Sequence, residues 1–157
     1  GFEQINSALV LGAGGTARAV AYALKSRGVR VCVLNRSDGR LANFAEFEKF
    51  SWENFGEFKG GKFDLVVNTT SAGLKDENLP AAIEILRPLF AKAKFAFDVI
   101  YGKKTPFLNL AAGNGLACKD GSEMLLFQAV KALNLFFEDS LDEAKIEASM
   151  RKALALR

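Results

Sequence analysis

Short apolar runs alternate along this chain with stretches whose apolar positions recur about every three to four residues, the signatures of buried strands and amphipathic helices. Strands are predicted at residues 8–11, 30–34, 63–68 and 95–100, with a shorter one at 116–118. Helices are predicted at 16–27, 41–50, 80–90, 105–114 and 122–137, with Gly28 well placed to stop the first. A last helix spans about 141–156, where Ser140 caps and Glu143 reaches back to form a capping box. Residues 51–61 are aromatic and glycine-bearing and read as a turn or a very short element. The runs at 63–68 and 95–100 are apolar on both sides, as expected where helices cover both faces of a sheet. The alternation argues for an α/β fold of parallel strands joined by crossover helices. There is no internal repeat and no low-complexity tract.

Composition narrows the chemistry. At 157 residues, half of them hydrophobic and 14 of them Phe, the chain is one domain by length and can bury a sizeable core. The net charge is only +3 and the basic residues are scattered, which argues against a nucleic-acid partner. No apolar run approaches membrane-spanning length and no charged-then-apolar leader is present, so neither a membrane span nor a secretory signal is expected. Cys32 and Cys118 lack metal-ligand spacing and read as buried thiols in a reducing cytoplasm. The most useful count is a zero. Without histidine, the chain has no imidazole base and no histidine-held zinc. Tyr22 and Tyr101 are each followed by Lys at the third position, Lys25 and Lys104, and not at the fourth, so the Tyr-x-x-x-Lys pair of short-chain dehydrogenases is missing too.

The first strand runs into Gly12-Ala13-Gly14-Gly15-Thr16-Ala17, a glycine-rich turn that opens a helix. Gly12 allows the tight turn, Gly14 lets backbone N–H groups approach a pyrophosphate, and Ala17 takes the small position where helix packs on strand. The diphosphate would face unpaired N–H groups at the positive end of the helix dipole. The second strand begins 18 residues after Gly12 and decides which cofactor fits. An NAD site carries Asp or Glu at its end to hold the ribose 2′-hydroxyl. Here the strand ends in Asn35-Arg36-Ser37-Asp38-Gly39-Arg40. A guanidinium cannot accept that hydroxyl proton, but its planar fork suits a 2′-phosphate, through charge-assisted bonds worth roughly 1.5–3 kcal/mol each. The alternative is a pair of solvated loop charges, but the turn upstream favours NADP. Asp38 lies past the strand tip, where it could hold an arginine in place.

Ligands of open α/β sheets bind outside the carboxyl ends of the strands, and three further segments fall there. Asn68-Thr69-Thr70-Ser71-Ala72-Gly73 is a run of small polar residues that can pass beneath a nicotinamide ribose, or an ordinary polar loop. In Asp98-Val99-Ile100-Tyr101, the Tyr101 phenol either meets a substrate carboxylate or hydroxyl, or snorkels from the core to water. Gln128, about two turns into an apolar helix that follows Gly121, either reaches a partner or marks the helix edge.

Five strings now stand in order: Gly-Ala-Gly-Gly-Thr-Ala-Arg-Ala, Asn-Arg-Ser-Asp-Gly-Arg, Asn-Thr-Thr-Ser-Ala-Gly, Asp-Val-Ile-Tyr and Asp-Gly-Ser-Glu-Met-Leu-Leu-Phe-Gln-Ala. In order and spacing, over about residues 6–137, they resemble shikimate dehydrogenase. The resemblance implies a Rossmann-like doubly wound parallel sheet over residues 1–137. It also implies a carboxyl-terminal helix, 138–157, that returns to an amino-terminal substrate domain absent from this chain. It places NADP on Gly12, Ala13, Gly14, Gly15 and Thr16 at the diphosphate, and on Asn35, Arg36, Ser37 and Arg40 at the 2′-phosphate end. It gives Val99 and Gly121 the nicotinamide and Tyr101 and Gln128 the shikimate, while the strand-end position of Asn68 and Thr69 would let them serve the nicotinamide ribose. The implied reaction is the NADP-linked interconversion of 3-dehydroshikimate and shikimate in chorismate and aromatic amino-acid biosynthesis. The family's catalytic Lys and Asp belong to the amino-terminal domain, and Lys103 and Lys104 match no catalytic position. No catalytic residue is therefore assigned, and the chain alone is expected to be inactive. Its start without Met, a few residues before the first strand, is compatible with a piece of a longer protein. A free-standing NADP sensor is the competing reading, against which Tyr101 and Gln128 count. The expected setting is cytoplasmic, without nucleic acid or membrane, and a homodimer is compatible with it.

Overall fold

The computed structural model describes residues 5–58 and 61–155. The opening tetrapeptide and residue 156, at the end of the last predicted helix, lie outside them. The chain divides into two compact units, the first ending at Asp120 and the second beginning at Gly121. The first unit is built on strands β1 (Ser7–Leu11), β2 (Arg30–Asn35), β3 (Glu48–Ser51), β4 (Leu65–Asn68), β5 (Phe95–Asp98) and β6 (Ala117–Lys119). They form one all-parallel sheet in the order β3-β2-β1-β4-β5-β6. Helices α1 (Gly15–Ser26), α2 (Ile83–Phe90) and α3 (Pro106–Gly113) make crossovers. This is the Rossmann-like order, in which the sheet reverses direction of growth between β1 and β4 and opens a crevice at their carboxyl ends.

Alternation along each strand decides which layer a residue enters. Leu9, Leu11, Cys32, Leu34, Val66 and Ala96 share one core with Leu86 and Phe90 of α2 and Phe107, Leu108 and Ala111 of α3. The intervening Ala8, Val10, Val31, Val33, Leu65 and Val67 pack with Ala17 and Ala21 of α1 and with Leu41, Phe44 and Phe47. Both faces are covered, and each fully buried Val or Leu contributes about 1.5–3 kcal/mol. α1 stops as Gly28 predicts. Gly28 takes φ +77°, its N–H donates to Lys25 C=O, and Val29 N–H donates to Leu24 C=O, which closes the helix with a left-handed turn.

One predicted element is overturned. Residues 41–50 carry apolar side chains at 41, 44, 47 and 50, a helical spacing, yet they form no α-helix. A 3₁₀ helix, Asp38–Phe44, sends Leu41 and Phe44 into the core, and the chain then extends as β3. β3 pairs with β2 from Cys32↔Glu48 to Asn35↔Ser51. The backbone ladder that edge pairing offers outweighs local helical periodicity here, and the outward charges of Glu48 and Lys49 suit a sheet edge. The sheet thus has six strands where sequence periodicity finds five.

In the second unit, α4 (Ser122–Phe136) and α5 (Glu143–Leu154) meet through a polar hinge. Glu138 and Asp139 take left-handed φ values of 53° and 57°. Asn134, nearly buried, accepts from Leu141 N–H and donates to Glu143, which also pairs with Lys131 at 2.7 Å. The predicted Ser140 cap does not form. Its hydroxyl donates to Phe137 C=O, and Glu143 is taken by Lys131 and Asn134. α5 starts two residues later than predicted, capped by the Asp142 carboxylate at the N–H groups of Ala144 and Lys145.

Candidate functional site

A cleft of about 1150 Å³ opens at the carboxyl ends of the strands. Its floor is the turn between β1 and α1. Gly12 sits at φ +107°, and a Cβ there would come within 2.9 Å of Thr69 Oγ1, so both backbone conformation and packing require glycine. Thr69 is itself fixed, its hydroxyl and its N–H both donating to Leu11 C=O. Gly14 is the N-cap residue of α1 and has no side chain with which to cap, and the first turn holds no acid. A Cβ on Gly14 would meet nothing within 4 Å, so the space beside this helix N-terminus is open. Unpaired N–H groups and the dipole's positive end make it suited to an anion.

The second wall is the end of β2. Asn35 folds its amide onto Ser37 C=O at 2.8 Å, which turns the chain into the 3₁₀ helix. Arg36, Ser37 and Arg40 are exposed and line the same cleft as Gly12, Ala13 and Gly14. Among the described residues Asp38 pairs with neither arginine, although it could have held one in place, and both guanidinium groups are exposed to an external anion.

Across the sheet's switch point the polar groups are saturated. Asn68 and Asp98 are completely buried. Asp98 accepts from the Thr105 hydroxyl at 2.6 Å, from Asn68 Nδ2 at 3.1 Å and from Ile100 N–H at 3.0 Å. Burial pushes its carboxyl above the usual range, and these bonds pull it partly back. The Asn68 carbonyl oxygen accepts from the N–H and the hydroxyl of Thr70, shaping the loop that brings Thr69, Thr70, Ser71 and Ala72 to the cleft. The Asp76 carboxylate ties Gly73 N–H and Asn78 N–H. Those bonds hold it below the usual carboxylate range.

The cleft brings together eight of the predicted residues: Gly12, Ala13, Gly14, Asn35, Arg36, Ser37, Arg40 and Thr69. Gly15 and Thr16 lie exposed in the first turn of α1, just outside its lining, and Asn68 lies beneath the loop. Val99 follows β5, its N–H donating to Asn68 C=O, while Tyr101 is half exposed and outside the core. Gly121 is buried at the start of α4 and Gln128 is exposed on it, both in the second unit. Two contributors escape the sequence reading: Trp52, and the stretch from Asp76 to Ile83. Trp52 directly follows the strand hidden under a helical pattern, and the rule of carboxyl ends would have flagged it had β3 been recognised. Among the described residues, no cluster of three or more metal-ligating side chains forms, and no helix is long and apolar enough to cross a membrane.

No protein-family model matches the chain. Shikimate dehydrogenase (NADP(+)) of Helicobacter hepaticus is 42% identical over 145 residues, 92% of this chain and 54% of that protein. The enzyme of the same name from Helicobacter pylori strain J99 is 39% identical over 150 residues, 96% of this chain and 55% of its own length. Among solved structures, a chorismate mutase/shikimate 5-dehydrogenase fusion protein from Clostridium acetobutylicum superposes with TM-score 0.78 at 29% identity, covering 94% of this chain and 53% of the other. Shikimate 5-dehydrogenase from Thermus thermophilus, in complex with NADP(H) and shikimate, gives TM-score 0.71 at 34% identity, covering 93% and 54%. The resemblance carried by the five motifs therefore extends across nearly the whole chain, which spans about half the length of the curated relatives it matches.

Proposed function

We propose that this chain, homologous to one half of shikimate dehydrogenases, is the NADP-binding part of such an enzyme. In the whole protein the reaction would be reversible reduction of 3-dehydroshikimate to shikimate, with NADPH supplying the hydride, on the route to chorismate and aromatic amino acids in the cytoplasm. The single observation that carries the cofactor reading is the cleft's distribution of bare groups. An uncapped helix N-terminus with open space at Gly14 and two exposed arginines that form no ion pair among the described residues line one cavity. A diphosphate and a 2′-phosphate are the two anions of NADP, and the fit needs no acid at the end of β2, where none stands.

On this reading Gly12, Ala13, Gly14, Gly15 and Thr16 hold the diphosphate, and Asn35, Arg36, Ser37 and Arg40 the adenosine 2′-phosphate. Asn68, acting through the loop it shapes, and Thr69 serve the nicotinamide ribose, Val99 and Gly121 the nicotinamide, and Tyr101 and Gln128 the shikimate. Residues 138–157 return to the substrate domain that the longer relatives have room for, and a homodimer is compatible with this arrangement. This chain supplies binding and orientation, while the proton is handled by a Lys and an Asp outside it. Calorimetric titration of the chain with NADPH and NADH tests the cofactor: NADPH binds far more tightly, and equal affinities would overturn the 2′-phosphate assignment. Incubated with shikimate and saturating NADP, the chain alone shows no absorbance of NADPH, because hydride transfer needs the alcohol carbon positioned and its proton accepted. Robust turnover would place a base within this chain, with Lys103 and Lys104 the first to mutate.

A further inference from the structure

Trp52 belongs neither to the glycine turn nor to the arginine pair, yet it lines the same cleft. The β2–β3 ladder ends at Asn35↔Ser51, so the next residues along the two parallel strands are Arg36 and Trp52. Each directly follows the last paired residue of its strand, and both line the cleft. The ladder continues one bond further, with Trp52 N–H donating to Asn35 C=O at 3.1 Å, so the Trp52 backbone is fixed beside the arginine. The indole is half-buried and packs on the apolar core, as does Leu79, another residue of the cleft lining. Pro80, Ala81 and Ala82 add uncharged surface to the same lining. This end of the cavity thus offers an anion-binding guanidinium next to a large aromatic ring with apolar walls.

We infer that Trp52 is the platform on which the adenine ring of the cofactor stacks, an inference that rests on the NADP reading of the cleft. The 2′-phosphate and the adenine sit on adjacent carbons of one ribose. A phosphate held by Arg36 therefore brings the purine within one sugar width of the residue beside Arg36, which is Trp52. Stacking of a base on an aromatic side chain contributes about ten- to a hundredfold in affinity and tolerates small changes in ring position. The backbone bond and the core packing pre-organise the indole, so little freedom is lost on binding.

Trp52 is the chain's single tryptophan, so its fluorescence reports on this site alone. The probe is adenosine 2′,5′-bisphosphate, which has the adenine and the 2′-phosphate but no nicotinamide. Saturable quenching on titration is expected, with a midpoint that matches calorimetry. Trp52→Leu, which keeps apolar bulk in the core, weakens the probe about tenfold by calorimetry, while Trp52→Phe, which keeps an aromatic face, retains most of the affinity. If the probe binds the wild-type chain without quenching and Trp52→Leu binds it equally well, Trp52 is only a core residue and the inference falls while the NADP reading stands. If neither the probe nor NADPH binds the wild-type chain, the NADP reading falls and takes this inference with it.

Discussion

The carboxyl ends of β1 and β2 and those of β4 and β5 share one rim of the sheet, but their polar groups are handled in opposite ways. At β1–β2 the donors are left over: α1 has no side-chain cap, and Arg36 and Arg40 are exposed and form no ion pair among the described residues. At β4–β5 Asn68, Asp98 and Thr105 are fully buried and bonded to one another. Exposure explains why both are stable. Donors facing an open cleft are satisfied by water, whereas a buried polar group without a partner costs roughly 1–3 kcal/mol. The saturated side also builds the unsaturated one. The loop shaped by Asn68 carries Thr69, whose hydroxyl and N–H hold the C=O of Leu11, the residue before the glycine turn. One end of the rim keeps its shape so that the other can keep its donors free.

The sharpest way to break this comparison is to fill the bare side. Gly14→Val places a branched side chain where a Cβ meets no protein atom, so the fold has room for it and the proposed diphosphate does not. NADPH binding is expected to fall below calorimetric detection while the circular dichroism spectrum stays native. Retained affinity would show that the open space is not where the cofactor lies. Next in size is the removal of an acceptor on the saturated side. Asp98→Ala strands the Thr105 hydroxyl, the Ile100 N–H and the Asn68 amide in a dry interior, and should cost about 3 kcal/mol of stability in urea unfolding. Asp98→Asn, which keeps an acceptor and can reorient around Thr105, should cost clearly less. Equal losses would mean that the network contributes through volume and not through hydrogen bonds.

The two sides also differ in how far a sequence shows them. The glycine turn and the Arg36–Arg40 pair are contiguous in the chain, and their chemistry follows from backbone freedom and charge, which residue types carry openly. The buried network joins Asn68 to Asp98 and Thr105, partners 30 and 7 residues apart in two of its bonds, and nothing local announces them. Trp52 was hidden for another reason. Phe44, Phe47 and Phe50 fall at helical spacing because a 3₁₀ turn followed by an edge strand happens to put its apolar groups at the same intervals. Only pairing with β2, a tertiary event, resolves the ambiguity. The cap of α5 moved to Asp142 because Asn134, from the preceding helix, captures Leu141 N–H and Glu143.

A smaller effect sharpens the bare side. Arg36→Ala removes one guanidinium from the proposed 2′-phosphate site while leaving the turn and α1 untouched. NADPH affinity should drop by about 1–2 kcal/mol, the worth of charge-assisted bonds in a solvent-exposed cleft, and NADH affinity should hardly change. A parallel loss of both would assign Arg36 to a part that the two cofactors share.

The smallest effect comes from the opposite rim, where Asp64 precedes β4 and is nearly buried. Its carboxylate accepts from Asn6 N–H at 3.0 Å and from the Ser7 hydroxyl at 3.2 Å, and Lys94 lies 3.0 Å away. The Asn6 N–H first, then Lys94, hold its carboxyl below the usual value of 3.8, whereas burial raises that of Asp98. The two acids should therefore respond to pH with opposite signs. For Asp64 the folded form binds its proton less readily than the unfolded chain, so its contribution is fully present above about pH 5 and is lost as pH falls through the lowered folded value. For Asp98 the folded form holds its proton more readily, so its ionisation weighs against the fold as pH rises through the raised folded value. Unfolding free energies of wild type and Asp64→Asn from urea titration, followed from pH 7 downward, should differ by about 1 kcal/mol at neutrality, with a gap that narrows in acid. A gap that stays constant down to about pH 3 would mean that Asp64 is no more useful as an ion than as a neutral acid. The carboxylate's bonds to Asn6 and Lys94 would then be geometry without a net electrostatic gain.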